Sequence, residues 1–295
     1  MSTSWTLSVK WLSAATLLVF LWPVEAQTDP ALAARIERAF SSEASAPIPD
    51  IFQKHGLPTT AQVGDEASYL FVFLAMDEAP DFRSKVLAKL RLEAKRRAVP
   101  RDALIFAEAR DRLQRIREQA DAKPPTNPEL RDEIERMIVS DQEVRQQAGF
   151  ELQKMMEMDR RHAARLREIV DQYGAPTYAM VGTRAAGDFV VLVQHQTPEL
   201  RRLVLPKLKA NVDAGQADPD GYAMMYDRLR INEGKHQYYG KNLDCGADGR
   251  LHETPIEDEA HVSERLAAIG AMRVELYARM VVAGNPPMCG GNVAH

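Results

Sequence analysis

Apolar residues recur every three or four positions along most of the chain, which is the spacing of amphipathic α-helices. The longest such pattern runs from Pro128 to about Gln172, and it could break near Gly149. Its stripe consists of Ile134, Ile138, Asp141, Arg145, Ala148, Leu152, Met155, Asp159, His162, Leu166 and Ile169. Four members of this apolar stripe are therefore ionisable.

A charge on a buried helix face is costly unless it is paired. Asp141 lies four residues before Arg145, and Asp159 lies three residues before His162, so each pair can meet along the helix. Two interpretations stay open. In the first, these side chains join the helix to its neighbours or emerge into water. In the second, they line a polar pocket within a helical core.

Two segments of the chain, 55–113 and 173–229, resemble each other and predict an internal duplication. Shifting the first segment by 118 residues aligns many identities, among them Gly56–Gly174, Thr59–Thr177, Gly64–Gly182 and Arg83–Arg201. The register then slips by two, and Asp111-Arg112-Leu113 meets Asp227-Arg228-Leu229. Gln194-His195 stands where the first copy has Met76-Asp77. We interpret the first copy as scaffold and the second as the copy that carries the site.

The pattern predicts an all-α fold, a helical repeat-like array in which a long helix joins the two copies. The predicted helices cover 30–41, 66–77, 81–97, 128–172 and 263–282, and others begin near 102, 183, 198 and 219. A buried strand is the alternative for 189–193, and loops are predicted over 41–50 and 240–249. The predicted division is a signal peptide (1–26), an N-terminal helical copy (27–122), a C-terminal helical domain (128–282) and a loose tail (283–295).

The N-terminus predicts export to the periplasm or the medium. Lys10 precedes an apolar run, Trp11 to Trp22, that is too short to span a bilayer. Val24-Glu25-Ala26 fits a signal-peptidase cleavage site, so we expect no stable membrane insertion after cleavage. A membrane anchor is the alternative. In an oxidising compartment the two cysteines, Cys245 and Cys289, are expected to form a disulfide; two unpaired thiols are the alternative.

Composition and motifs exclude several classes of protein. The net charge is −4 and no basic block is present, so we expect no nucleic-acid partner. Nucleophile elbows, phosphate-binding loops and zinc signatures are absent from the sequence, and we expect no cofactor and no metal. The acidic segment 253–259 could bind a cation, but such a segment is more often a solvated face.

The candidate catalytic residues are His195, Asp141 and Asp159. His195 could serve as a general base oriented by one of the two carboxylates, or by Asp227, while Arg145 or Arg228 stabilises an anion. The alternative for His195 is a structural one, because an imidazole at a helix C-terminus interacts favourably with the helix dipole.

Four short motifs resemble those of DUF6624, a bacterial family of unknown function. They are Asp141-Gln142-x-x-Arg145, Gln194-His195, Asp227-Arg228 and Gln237-x-Tyr239-Gly240, and the resemblance covers roughly 128–280. The resemblance implies ligand-binding positions at Arg145, Gln194, Asp227, Arg228, Gln237 and Tyr239, and it implies no reaction.

Two functions follow as hypotheses. The first is an exported binding or interaction module whose polar pocket takes a small ligand or a protein partner. The second is a hydrolase-type enzyme with His195 as general base and an Asp/Arg cluster around it.

Overall fold

A computed structural model describes residues 29–41, 48–146, 151–245 and 251–284 of the chain. These residues form thirteen α-helices and one two-stranded sheet, so the all-α prediction is confirmed. The elements are α1 Pro30–Ser41, α2 Ile48–His55, α3 Thr60–Val63, α4 Asp65–Ala75, α5 Pro80–Lys95, α6 Ala103–Asp121, α7 Pro128–Gln146, α8 Leu152–Tyr173, α9 Tyr178–Gln194, α10 Pro198–Asp213, α11 Pro219–Asn232, β1 Leu243–Cys245, β2 Leu251–Glu253, α12 Val262–Ile269 and α13 Val274–Gly284. None of the described helices combines the length and the apolar character that crossing a membrane requires.

Buried side chains form two hydrophobic clusters. The first is built mainly from α1 to α6, around the aromatic rings of Tyr69, Phe71 and Phe106. The second is built mainly from α7 to α12, around Phe189 and its neighbours on α9. The last two helices contribute to both clusters. Leu266 on α12 belongs to the second cluster, and Leu276 on α13 belongs to the first. The predicted division of the chain between residues 122 and 128 stays a prediction.

The stretch predicted as one long helix is helical, but it consists of two helices that pack against each other. Three contacts join α7 to α8, and they pair later residues of α7 with earlier residues of α8. They are Arg145–Asp159, Ser140–His162 and Glu133–Arg165. The two helices are therefore antiparallel, and the chain reverses between them. Residues 147–150, which include the predicted break at Gly149, lie outside the described residues.

Both segments of the predicted duplication are helical, and they share local features 118 residues apart. Gly64 and Gly182 have φ angles of 84° and 83°, a conformation that favours glycine. Each follows a short turn that begins after a threonine, Thr59 or Thr177. The amide of residue 60 donates to the carbonyl of residue 98, and the amide of residue 178 donates to that of residue 216. A common origin of the two segments stays a prediction.

Several predicted boundaries differ from the structure. Residues 48–50 were expected in a loop but begin α2, because Ile48 and Ile51 bury one face of it. The helix expected from 183 begins at Tyr178 and kinks at Gly182. The strand alternative for 189–193 is wrong, since those residues lie within α9.

The C-terminal region also differs from expectation. The predicted loop 240–249 contains β1, which pairs antiparallel with β2. The predicted helix 263–282 is two helices, because Gly270 adopts a left-handed φ of 75° and ends α12. The signal peptide, most of the loose tail and Cys289 lie outside the described residues. Cys245 ends β1, and its pairing with Cys289 stays a prediction.

Candidate functional site

A polar cluster fills the space where α7, α8 and the end of α9 meet. Asp141 on α7 is completely buried, and its Oδ2 lies 2.8 Å from Nδ1 of His195, which caps the C-terminus of α9. Its other oxygen accepts a hydrogen bond from Nε of Arg145 at 3.1 Å. Arg145 also donates from Nη2 to Asp159 on α8, at 2.5 Å. One carboxylate therefore connects the histidine of α9 to an arginine that joins α7 to α8.

The pairing of Asp141 with His195 fixes the chemistry of the imidazole. A carboxylate accepts hydrogen bonds, so in the neutral imidazole Nδ1 carries the proton and Nε2 keeps its lone pair. About a quarter of the His195 side chain is exposed. Burial by itself would raise the pKa of Asp141, but the hydrogen bond and charge of His195, together with Arg145, lower it below the ordinary value. Asp141 is therefore ionised at neutral pH and orients His195.

A second polar cluster forms around Asp227 of α11. It holds the segment 237–242, which we call the Asp227 loop. Asp227 on α11 is completely buried, and its carboxylate accepts the backbone N–H groups of Tyr238, Tyr239 and Lys241. Burial raises the pKa of Asp227, against the opposing effect of these three amides. Gln237 accepts the N–H of Asn242 with its side-chain oxygen and donates to the Asn242 carbonyl. These contacts fold the loop onto α11.

A family model matches residues 128–285, which is more than half of the chain and includes both clusters. The chain belongs to DUF6624, a family of unknown function. Searches of curated proteins and of solved structures found no match.

The DUF6624 region contains every candidate residue, but it divides most of them between two places. Asp141, Arg145, Asp159 and His195 meet in the first cluster. Gln237 and the buried Tyr239 belong to the Asp227 loop, where the side chains of Asp227 and Gln237 bind backbone groups. Arg228 is exposed and reaches Asn242 at 3.3 Å, and Gln194 is buried in the last turn of α9.

The expected pairing of Asp159 with His162 is wrong. Asp159 binds Arg145 instead, and Nε2 of His162 lies 3.4 Å from Oγ of Ser140 on α7. Two neighbours on one helix need not pair when a facing helix offers closer partners. Sequence reasoning also missed Ser140, because a single serine on a helix carries no recognisable pattern.

His162, which is buried, lines a cavity beside the first cluster. A cavity of about 660 Å³ between α7 and α8 is lined by Met137, Ser140, Met158, His162 and other residues of these helices. Nδ1 of His162 is buried and has no hydrogen-bond partner in the described part of the chain. Burial lowers the pKa of His162, although the charges of Asp141 and Asp159 oppose that effect. His162 is therefore neutral at neutral pH.

The stability of this DUF6624 protein should consequently fall as the pH falls below the ordinary histidine pKa of 6.5. The unfolded chain binds a proton at His162 in that range, whereas the folded chain resists it, so protonation favours unfolding. We expect His162→Gln to show a shallower decline in unfolding free energy between pH 7 and about pH 5. Urea titrations across this range measure it. The exposed His236→Gln is the matched control, and an equal decline in wild type and His162→Gln would contradict the prediction.

Proposed function

We propose that this protein is an exported helical protein that binds a small polar ligand at the cluster around His195. The observation that carries the proposal is the 2.8 Å contact between His195 and the fully buried carboxylate of Asp141. Burying a carboxylate is costly, and a well-packed apolar side chain often gives equal or greater stability. The same carboxylate orients a partly exposed imidazole, and that orientation is the benefit that an apolar side chain would not provide.

The geometry limits the kind of ligand. Arg145 is occupied by two carboxylates, so it has little capacity to recognise a further anion. Nε2 of His195 is the ring nitrogen that Asp141 does not occupy, and in the neutral imidazole it accepts a hydrogen bond. The ligand expected here therefore offers a donor group, such as a hydroxyl, an amide or an amine.

Binding is tested by following the imidazole nitrogen signals of His195 by NMR while a panel of small alcohols, amides and amines is added. We expect the NMR signal of Nε2 of His195 to change its chemical shift on binding. The His195→Gln variant should not bind. His236→Gln, which changes an exposed histidine, should leave binding unchanged. If the whole panel leaves His195 unperturbed, or if His195→Gln binds as wild type does, the proposal fails.

Hydrolysis is the second candidate function, and the Asp141–His195 contact is the observation that favours it. In that reaction Nε2 of His195 would remove a proton from water as the water oxygen attacks an ester or phosphoester, and the imidazolium would return that proton to the departing alkoxide, which leaves as the alcohol. Asp141 would stabilise the imidazolium as the proton arrives. A panel of nitrophenyl esters and phosphates tests this activity. His195→Gln should remove it and Asp141→Asn should reduce it; turnover that survives His195→Gln would exclude His195 as the base.

Export is the remaining part of the proposal. Lys10, the short apolar run and Val24-Glu25-Ala26 support cleavage after Ala26. Mass spectrometry of the protein from fractionated cells is expected to find a chain that begins at Gln27, outside the cytoplasm. A cytoplasmic protein that retains Met1 would contradict it.

A further inference from the structure

Arg83 and Arg201 are matched positions of the predicted duplication, and the structure gives both the same local setting. Each lies early in a helix that begins with proline, α5 or α10, and each is buried. Each guanidinium donates to the backbone carbonyl of the residue five positions before it. For Arg83 the donor is Nη1 and that residue is Glu78, at 2.7 Å; for Arg201 the donors are Nε and Nη2 and that residue is Gln196, at 3.0 and 2.6 Å. The matching carbonyl thus binds each arginine, although the two guanidinium groups turn different nitrogens toward it.

Two carboxylates neutralise Arg83 in the first segment. Its Nε donates to Asp111 at 2.9 Å. Its two terminal nitrogens bind the two oxygens of Glu118, at 2.7 and 3.1 Å. This two-pronged contact is the strongest arrangement that a guanidinium forms with an oxyanion. The first segment thus shows which partner this arginine position takes.

Neither carboxylate is present for Arg201 in the second segment. Asp227, the match of Asp111, gives both oxygens to the backbone of the Asp227 loop. In the register of that match, Glu118 corresponds to Gly234. The side-chain partner of Arg201 is the neutral amide oxygen of Asn232, at 2.7 Å, and no carboxylate of the described residues lies within ion-pair distance.

Arg201 is only 8% exposed, and a buried charge that makes no direct ion pair is costly. Burial and then the positive charge of Arg228 lower the pKa of Arg201, and the carboxylate of Glu199 opposes them without cancelling their effect. A guanidinium has five N–H groups, and the contacts to Gln196 and Asn232 use three of them. In addition, Nε2 of Gln196 is a buried donor without a partner among the described residues. Donors and positive charge are in excess here.

We propose that Arg201 binds a small oxyanion, a carboxylate or a phosphate, through the unused N–H groups of Nη1 and Nη2, the two nitrogens with which Arg83 binds the Glu118 carboxylate. The exposed Asn232 marks the side from which the anion enters, and the positive charge of Arg228 attracts it. Gln196 directly follows His195 in the chain, so this anion site lies next to the site of the proposed function. The inference depends on the arginine contacts and not on any role of His195.

The test titrates the full mature chain with inorganic phosphate and, separately, with acetate, at constant ionic strength in sodium chloride. The melting temperature and calorimetry follow binding, because a ligand that binds only the folded state stabilises it. We expect at least one of the two anions to raise the melting temperature. A response to phosphate alone identifies a phosphate site, and a response to acetate alone identifies a carboxylate site. If neither anion binds more strongly than chloride does, the proposal is overturned.

Asn232→Asp provides the decisive variant, because it places a carboxylate of almost the same shape on Nη1 of Arg201. We expect it to fold normally and to melt at a higher temperature without added anion. Its affinity for phosphate or acetate should fall by roughly tenfold or more. Arg202→Gln removes an exposed arginine from the same helix and is the matched control. Undiminished binding by Asn232→Asp, or an equal loss in Arg202→Gln, would show that the anion binds elsewhere.

Discussion

Asp141→Ala is expected to lower the free energy of unfolding by about 3–5 kcal/mol, which is the usual cost of removing one partner from a buried ion pair. Asp141 is fully buried and binds both Arg145 and His195. Its removal leaves Arg145 with Asp159 alone and leaves Nδ1 of His195 without its acceptor. Urea unfolding at neutral pH measures the loss. Asp132→Ala, an exposed change on the same helix, should stay within about 0.5 kcal/mol of wild type.

The double variant Asp141→Leu with Arg145→Met separates pairing from packing. It removes the buried carboxylate together with its cation, so much of the loss should be recovered. Recovery should stop short of wild type, because Asp159 loses Arg145 as its partner. Asp159 is 23% exposed and can reach water, which limits that remaining cost. A single Asp141→Ala variant within about 1 kcal/mol of wild type would contradict the buried-pair interpretation.

The first cluster was largely predictable from the sequence. The three-and-four spacing placed Asp141 and Arg145 on the same face as Ile134 and Ile138, and those apolar residues are buried. A polar residue on an apolar stripe must find partners in the core, which is why its pairing could be anticipated. The sequence offered Asp141, Asp159 and Asp227 as carboxylates that could orient His195, and Asp141 is the one in contact with it.

The reversal between α7 and α8 was not predictable from the same pattern. The apolar spacing continues through Ala148, Leu152 and Met155 as it would in one continuous helix. Periodicity reports which face of a helix is apolar, and it does not report where the axis changes direction. The contact of Asp159 on α8 with Arg145 on α7 could not be predicted for the same reason.

The second cluster shows a different limit. Asp111 and Asp227 are matched positions of the predicted duplication, yet they bind different partners. Asp111 joins α6 to α5 by binding Arg83. Asp227 instead binds backbone N–H groups, which every residue except proline carries, so the sequence contains no signal for that role. Arg83 and Arg201 are identical in the sequence, and their different partners are set by tertiary neighbours that the local pattern does not encode.

Asp227→Ala is expected to lower the free energy of unfolding by about 3–5 kcal/mol, because it strands three backbone N–H groups, two of them on buried residues. Its Oδ1 accepts from Tyr238 and Tyr239 at 2.7 and 2.9 Å, and its Oδ2 accepts from Lys241 at 2.9 Å. The turn between these amides is tight, since Gly240 has a φ of 71°. No other described side chain accepts these three hydrogen bonds, so the loop has no replacement for the carboxylate.

Asp227→Asn keeps the shape of the side chain and one acceptor oxygen, so we expect an intermediate loss. Arg228→Gln changes the next residue, which is exposed and reaches Asn242 at 3.3 Å, and it should cost less than about 1 kcal/mol. Urea unfolding ranks the three variants, and amide hydrogen exchange of Tyr239 and Lys241 shows whether the loop itself has opened. Faster exchange at these two amides in Asp227→Ala, with unchanged exchange in Arg228→Gln, identifies Asp227 as the acceptor that folds the loop. If Asp227→Ala keeps slow exchange at both amides, the loop is held by Gln237 and its hydrogen bonds instead.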